Sequence, residues 1–164
     1  MNDKCLICDR ITMINKGTNP YFVMELETGY VVIGDFQFYK GYTLFLCKNH
    51  VTELHELPHD FRRKYLSEMS LVAEAVYSAF KPDKLNYELL GNTDVFKHCH
   101  WHIFPRYSSD PEPTKPVWSI NKNIRCAEST RPSKEELESL KDQLKRILDK
   151  IISNKKQPYN DVSH

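Results

Sequence analysis

Long hydrophobic runs are absent from this sequence, so a membrane-spanning helix is not expected. Such a helix needs about 20 consecutive apolar residues, and no stretch of the chain approaches that length. The first residues, MNDKCLICDR, are polar and lack the apolar core of a signal peptide. We therefore expect a cytoplasmic protein without a membrane partner.

An excess of charge of either sign is also missing. The chain has 23 basic and 22 acidic side chains and a formal net charge of +1. Nucleic-acid polymers are normally bound by a strongly basic surface, so we do not expect such a partner. A small nucleotide needs only a few local donors, and its binding is compatible with balanced charge.

A disulfide framework is not expected either. The five cysteines are odd in number and no export signal accompanies them. They are Cys5, Cys8, Cys47, Cys99 and Cys126. Apolar residues nevertheless make up 40% of the chain, which is enough for a folded core.

Segments rich in β-branched and aromatic residues predict an antiparallel sheet of about five strands. They cover residues 22–24, 30–34, 43–46, 85–90 and 98–106. Residues 59–80 predict one long helix, because apolar side chains recur there at helical spacing. That stripe consists of Leu66, Met69, Val72, Val76 and Phe80. After Cys8, a polar stretch with no predicted helix or strand runs to Pro20.

The last third of the chain predicts an extension and a helix. Four prolines in residues 108–132 forbid long regular elements. Ser133 and Glu136 form a capping box that opens a helix over 133–154. Its narrow apolar seam packs either on its own subunit or on a partner. We expect an α+β domain over 1–107, the extension on or near it, this helix, and a frayed tail over 155–164.

The strongest pattern is HCHWHIFPR, residues 98–106. Side chains two residues apart share one face of a strand, so His98, His100 and His102 are predicted to lie side by side. Buried imidazoles need hydrogen-bonding partners, which makes them costly as core residues. The pattern therefore favours a functional site. Two alternatives remain open: the three histidines lie on a surface strand without a function, or they bind one metal ion together.

This motif resembles the signature of the histidine-triad (HIT) superfamily, in which three histidines alternate with apolar residues. The chain before this motif also has features in the order typical of that family. They are Asp35, Gly41, the Lys48-x-His50 step, the long helix and Asn86. The resemblance covers roughly residues 4–107. It implies a HIT-like α+β fold and an enzyme that cleaves a nucleotide through a covalent intermediate.

The resemblance also implies roles for particular residues. His100 would be the nucleophile toward the α-phosphate, and His102 would bind phosphate oxygens. Asp35 would hold the ribose hydroxyls, although it is also a common turn residue. Asn86 would lie near the nucleophile, with a purely structural role as the alternative. Asn92 and Thr93 would add phosphate contacts.

Three positions, two of them in one loop, depart from the family pattern. The loop Gly91-Asn92-Thr93-Asp94-Val95-Phe96-Lys97 carries Asp94 and Val95 where polar phosphate donors are typical. Tyr42 stands where many members have a histidine. The phosphate contacts in this loop therefore stay open at the level of sequence.

The pair Cys5-x-x-Cys8 is by itself a weak metal motif. Some bacterial members of the family bind a structural zinc through such a pair, the histidine after the Lys-x step and the first histidine of the triad. The resemblance thus implies a zinc site of Cys5, Cys8, His50 and His98, with two idle thiols as the alternative. His55, His59 and His164 are expected at the surface.

The predicted function is hydrolysis of a dinucleoside polyphosphate or a nucleoside phosphoramidate, with release of a nucleoside monophosphate. One alternative is nucleotidyl transfer through the same intermediate, although related transferases carry glutamine at the position of His102. Another is a nucleotide-binding adaptor with little turnover. The base, the leaving group and the physiological substrate are not determined by the sequence.

A homodimer is predicted as well. Smaller family members pair through the long helix and an edge strand. Tyr65, Leu71 and Tyr77 lie off the apolar stripe of residues 59–80 and add more apolar surface than one sheet face needs.

Overall fold

A five-stranded antiparallel sheet forms the centre of the protein. The computed structural model describes residues 5–91 and 95–156. Its strands are β1 (Phe22–Glu25), β2 (Gly29–Ile33), β3 (Thr43–Cys47), β4 (Lys84–Leu89) and β5 (His100–Arg106), in the order β1-β2-β3-β5-β4. The predicted α+β class and the five strand segments are confirmed, with end points that differ by one or two residues.

Four helices surround this sheet. They are α1 (Leu6–Asn15), α2 (His59–Phe80), α3 (Lys122–Arg125) and α4 (Lys134–Lys156), with short 3₁₀ turns at Leu54–Glu56, Val117–Ser119 and Glu128–Thr130. Helix α2 has the bounds that its apolar periodicity predicts. No helix within the described ranges is long and apolar enough to cross a bilayer.

No helix was predicted over residues 9–20, but α1 occupies more than half of that segment. Its start is capped by Cys5, whose Sγ accepts a hydrogen bond from the backbone N–H of Cys8 at 3.4 Å. Ile7, Ile11 and Ile14 follow at helical spacing and pack against the sheet. A stripe of three residues is a weak periodic signal.

The two faces of the sheet have different functions in the fold. On one face, Ile103 and Trp101 of β5 pack with residues of α2 and α4 in the main hydrophobic core. On the other face, His100 and His102 alternate with them along the same strand. Helix α1 and the segment after β5 cover this second face.

Helix α4 packs against α2 and β1 of its own chain. Its seam of Leu137, Leu140, Leu144 and Leu148 is buried. This contact decides between the two alternatives left open by the sequence, in favour of the helix's own subunit. The helix continues to Lys156, two residues beyond its predicted end, and residues 157–164 of the expected tail lie outside the described residues.

Two residues of α2 were assigned to the wrong surface. Leu66 was predicted to lie on the apolar stripe but is exposed, and Tyr65 shows the opposite error. Tyr65 was predicted to be spare apolar surface, but it is fully buried, and its hydroxyl donates to the carbonyl oxygen of Phe45 at 3.1 Å. The helix instead rotates Leu66 and Tyr77 outward, with exposed fractions of 37% and 51%. A tyrosine can enter a core when its hydroxyl finds a backbone acceptor.

We predict that Leu144→Ala lowers the free energy of unfolding by about 2–5 kcal/mol, because it leaves a cavity between α4 and the sheet. Leu144 is completely buried in the main core. Equilibrium urea denaturation measures the change, with Lys150→Ala on the exposed side of α4 as control. Equal stability of the two variants would show that α4 does not contribute to the core.

Candidate functional site

His100 is the central residue of the site, and its imidazole has one defined tautomer. It is 3% exposed and lies on β5, opposite Leu46 of β3. Its Nδ1 lies 2.5 Å from the carbonyl oxygen of His98, so Nδ1 carries the proton and donates it. Nε2 therefore keeps its lone pair. Burial lowers the pKa of His100, which favours the neutral ring.

His102 has the opposite tautomer, because Tyr42 donates to it. The Tyr42 hydroxyl lies 2.5 Å from Nδ1 of His102. Burial raises the pKa of Tyr42, so the phenol stays protonated and acts as the donor. Nε2 of His102 then carries the ring proton. Burial, with smaller contributions from His100 and Arg125, lowers the pKa of His102 to about 3.

The position of Tyr42 depends on stacking and on a glycine. Its ring stacks on Phe104 with centroids 4.2 Å apart and lies parallel to His102. A Cβ atom at Gly34 would overlap the Tyr42 ring, so only glycine permits this approach. The sheet face thus places a tyrosine, an imidazole and a phenyl ring in one stack.

These side chains border a cavity of about 470 Å³. That volume is typical of small-molecule sites. Its apolar floor includes Val32, Leu44 and Leu46 of the sheet. The polar and aromatic lining residues include Arg10, Asp35, Tyr39, Tyr42, Glu88, His100, His102, Trp118, Lys122 and Arg125.

Asp35 lies in this cavity, as predicted for a ribose-binding residue, but it already has a partner. Both of its carboxylate oxygens contact the guanidinium of Arg10, with Nη1 to Oδ1 at 2.7 Å. Such a bidentate pair leaves further lone pairs on the carboxylate for a ligand. Helix α1 supplies Arg10, so the missed helix also hid this residue from the sequence analysis.

Asn86 is placed differently from its predicted position. It shares the sheet face of the histidines, but its Oδ1 accepts from Nη1 of Arg106 at 2.9 Å, and it borders a separate cavity. Glu88, two residues further along β4, faces His102 across the strand pair and lines both cavities. Asn92 and Thr93 lie outside the described residues.

A second cluster lies behind the cavity, where α1 meets the start of β5. Cys5, Cys8, His50 and His98 each present one ligand atom, and all four atoms lie within 4.8 Å of one another. Cys8 Sγ is 3.1 Å from Nδ1 of His50 and 3.5 Å from Nδ1 of His98. Donor atoms of a tetrahedral zinc site lie about 3.5 Å apart, so these four fit a metal ion.

The surroundings of His98 support this interpretation. Its Nε2 donates to the carbonyl oxygen of Cys47 at 2.8 Å, which leaves Nδ1 unprotonated and directed at the thiols. Metal-ligating histidines usually have such an outer partner. Burial and the neighbouring Cys5 raise the pKa of the Cys8 thiol to about 11, so the cluster favours neutral thiols unless a cation is bound.

Comparison with known proteins agrees with the geometry. A family model described as the HIT domain matches residues 17–109, more than half of the chain. The chain belongs to the HIT domain family. The Bacillus subtilis protein named Protein hit is 34% identical over 74 residues, which make up 42% of this chain and 49% of that protein. The match thus spans about half the length of the curated relative.

Solved HIT structures share the fold. A hypothetical histidine triad nucleotide-binding protein of Sulfolobus tokodaii superimposes with a TM-score of 0.69 and 24% identity, covering 93% of this chain and 98% of the other. A zinc-bound histidine triad family protein of Mycobacterium smegmatis has a TM-score of 0.59 and 21% identity, with 92% and 96% covered. Family membership supports a nucleotide-binding, hydrolase or transferase role in general.

Three groups of cavity residues escaped the sequence analysis. Arg10 lay in a helix with weak periodicity, and Glu88 carried no motif. Lys122, Arg125 and Trp118 belong to the proline-rich extension, whose path over the HIT domain depends on buried contacts of Arg106. Tyr42 stands where many family members have a histidine. This difference was the one sequence feature that could have indicated its contact with His102.

We predict that Tyr42→Phe raises the pKa of His102 and allows both of its tautomers, because the donor to Nδ1 is lost. Imidazole ¹⁵N chemical shifts measured across a pH titration report both the pKa of His102 and the populations of its tautomers. Tyr77→Phe, an exposed tyrosine on α2, is the matched control. An unchanged His102 spectrum in the Tyr42 variant would refute the assignment of the tautomer.

Proposed function

We propose that the chain is a nucleotide hydrolase in which His100 forms a covalent nucleotidyl intermediate. The observation that carries this proposal is the tautomer of His100. Its Nδ1–H is fixed to the carbonyl oxygen of His98, and its unprotonated Nε2 has no partner within the described ranges, at the border of a nucleotide-sized cavity. A neutral imidazole is a nucleophile at neutral pH without help from a separate base.

The reaction has two displacement steps. The lone pair of His100 Nε2 forms a bond to the α-phosphorus, and the bond from phosphorus to the leaving group breaks with its electron pair on the leaving atom. Water then attacks the same phosphorus, loses a proton, and returns the nitrogen–phosphorus bonding pair to Nε2. The products are a nucleoside monophosphate, the leaving group and the original imidazole.

The neighbouring residues would bind the reacting phosphate and the nucleoside. The ring proton on Nε2 of His102, fixed by Tyr42, would donate to a phosphate oxygen whose charge develops in the transition state. Asp35 would accept from the ribose hydroxyls, with Arg10 holding its carboxylate in place. Asn92 and Thr93 remain proposed phosphate contacts. Asn86 would act on the site only through Arg106.

Nucleotidyl transfer is the second candidate, because the same intermediate could react with an acceptor other than water. A histidine at position 102, where related transferases have glutamine, favours hydrolysis. A binding adaptor is the third candidate. The fixed tautomers of two imidazoles favour an enzyme over an adaptor, since a binding site has no need of a free Nε2 lone pair.

We predict that His100→Ala abolishes release of nucleoside monophosphate while nucleotide affinity changes by less than about tenfold, because the nucleophile is removed and the pocket remains. Chromatography of reactions with adenylated and guanylated compounds measures the release of monophosphate. Calorimetry measures the nucleotide affinity. His55→Ala, an exposed histidine outside the cavity, is the control. Full turnover by the His100 variant would exclude the covalent mechanism.

We further propose that the cluster of Cys5, Cys8, His50 and His98 holds a structural zinc ion. The donor set and the separations support it, as does the zinc-bound relative. Bound zinc would stabilise thiolates and connect α1 to the beginning of β5. His98 would then serve the metal site and leave His100 free for chemistry.

Protein purified without added metal should contain about one zinc per chain, and Cys8→Ser should lose it because a tetrahedral site needs all four ligands. Elemental analysis by mass spectrometry decides the matter, with Cys126→Ser as the matched control. Metal-free wild-type protein that is folded and equally stable in a chelator would contradict the site.

A homodimer formed through α2 is the proposed assembly. Leu66 and Tyr77 leave an apolar surface exposed on that helix, and such surfaces are often covered in symmetric contacts. Light scattering at micromolar concentration should give twice the mass of the single 19.3-kDa chain. A mass equal to that of one chain would exclude the dimer.

A further inference from the structure

One wall of the histidine cavity comes from outside the matched HIT domain. The family model ends at residue 109, and Val117, Trp118, Lys122 and Arg125 line the cavity beyond that point. The family model does not include these side chains. They are therefore candidates for residues that set a preference for one kind of substrate.

Buried contacts hold this wall against the domain. Val117 is buried and packs in one cluster with Tyr39 and Phe104. The Nε of Arg125 donates to the carbonyl oxygen of Ile120 at 2.9 Å, which fixes the base of that side chain. The backbone N–H of Gln37 donates to Thr130 at 2.7 Å where the segment ends. The wall is thus part of the folded domain.

Two cations of the wall have no carboxylate partner in the part of the chain that the structure describes. They are Lys122 and Arg125, both on α3. The charge of Arg125 extends to His102, where it adds to the lowering of the pKa that burial and His100 cause. Arg10, the other arginine of the cavity, is already paired with Asp35. The cations of α3 remain available to an anionic ligand.

Tyr39 adds a buried donor to the same region. It is 2% exposed, and its hydroxyl has no hydrogen-bond partner among residues 5–91 and 95–156. The hydroxyl lies within electrostatic reach of Arg125 and Glu88, which both line the cavity. A buried hydroxyl without an acceptor is costly, and a ligand oxygen would satisfy it. Burial raises the pKa of Glu88, while the charges of Arg125 and Arg106 act in the opposite direction.

Trp118 lies at the rim of this region. Its side chain is 66% exposed although it borders the cavity. An indole ring presents a flat apolar face on which a planar ring of a ligand can stack. The wall therefore combines cations, a hydroxyl donor and an aromatic surface.

We propose that Lys122, Arg125 and the Tyr39 hydroxyl form a subsite for an anionic phosphate chain, the leaving group of the reaction at His100, and that Trp118 stacks on a base at the far end of that chain. This inference rests on the proposed hydrolase function and selects its substrate class. It favours nucleoside polyphosphates that carry a second nucleoside over phosphoramidates.

The charge on the leaving group explains the preference for polyphosphates over phosphoramidates. As Nε2 of His100 bonds to the α-phosphorus, the bond from that phosphorus to the bridging oxygen breaks. The electron pair stays on this oxygen, so the departing chain gains one negative charge. Nearby cations stabilise that charge as it develops. A phosphoramidate releases an amine that takes up a proton and carries no negative charge, so the cations give it no advantage.

Binding of inorganic tripolyphosphate to the full chain tests the subsite without catalysis. Calorimetry should show that Lys122→Gln combined with Arg125→Gln weakens binding by about 10- to 100-fold, because two charge-assisted contacts are lost. Lys150→Gln on α4 removes one distant cation and is the control. Absence of binding to the wild-type protein, or equal binding to the double variant, overturns the subsite.

Kinetics test its selectivity. For the double variant, kcat/KM should fall at least about tenfold more with a dinucleoside tetraphosphate than with a phosphoramidate of the same nucleoside. Trp118→Ala should affect the dinucleoside compound more than the nucleoside triphosphate. Equal losses on all substrates overturn the proposal. If wild-type protein releases monophosphate from none of them, the hydrolase function fails, and the tripolyphosphate result alone decides the subsite.

Discussion

The hydrogen bond from Nδ1 of His100 to the carbonyl oxygen of His98 is the contact on which the proposed chemistry of this protein depends. It selects the tautomer that leaves Nε2 of His100 unprotonated in the cavity. The carbonyl can hold this position because His98 is itself fixed, by Cys47 on one ring nitrogen and by the Cys5, Cys8 and His50 cluster on the other. Contacts from α1, from β3 and from the start of β5 thus meet at His98.

The sheet makes this arrangement possible by separating two functions onto its two faces. One face buries the apolar residues of β5 against α2 and α4, and this burial is the main source of folding free energy. The other face then has freedom to hold polar side chains, provided that each has a partner. His100, His102 and Asp35 satisfy that condition through His98, Tyr42 and Arg10.

Sequence periodicity predicted the parts of the fold that depend on local repetition. The alternation of residues 98–106 gave the shared face of His100 and His102, and the stripe of residues 59–80 gave the bounds of α2. The residues that these elements contact are decided by packing between segments far apart in the sequence. Local periodicity carries no information about such contacts. Helix α1 was missed because its apolar stripe is short. The burial of Tyr65 and the contact of Asn86 with Arg106 were missed because they depend on such packing. The cavity wall formed by the extension was missed for the same reason.

The covalent adduct itself is the most direct measure of the central claim. The full chain is mixed with a nucleotide substrate, quenched in base after a few milliseconds to seconds, digested, and analysed by mass spectrometry. We expect one nucleoside monophosphate attached through nitrogen to the peptide that contains His100. Release of monophosphate without any adduct at early times, or an adduct on a different residue, would contradict it.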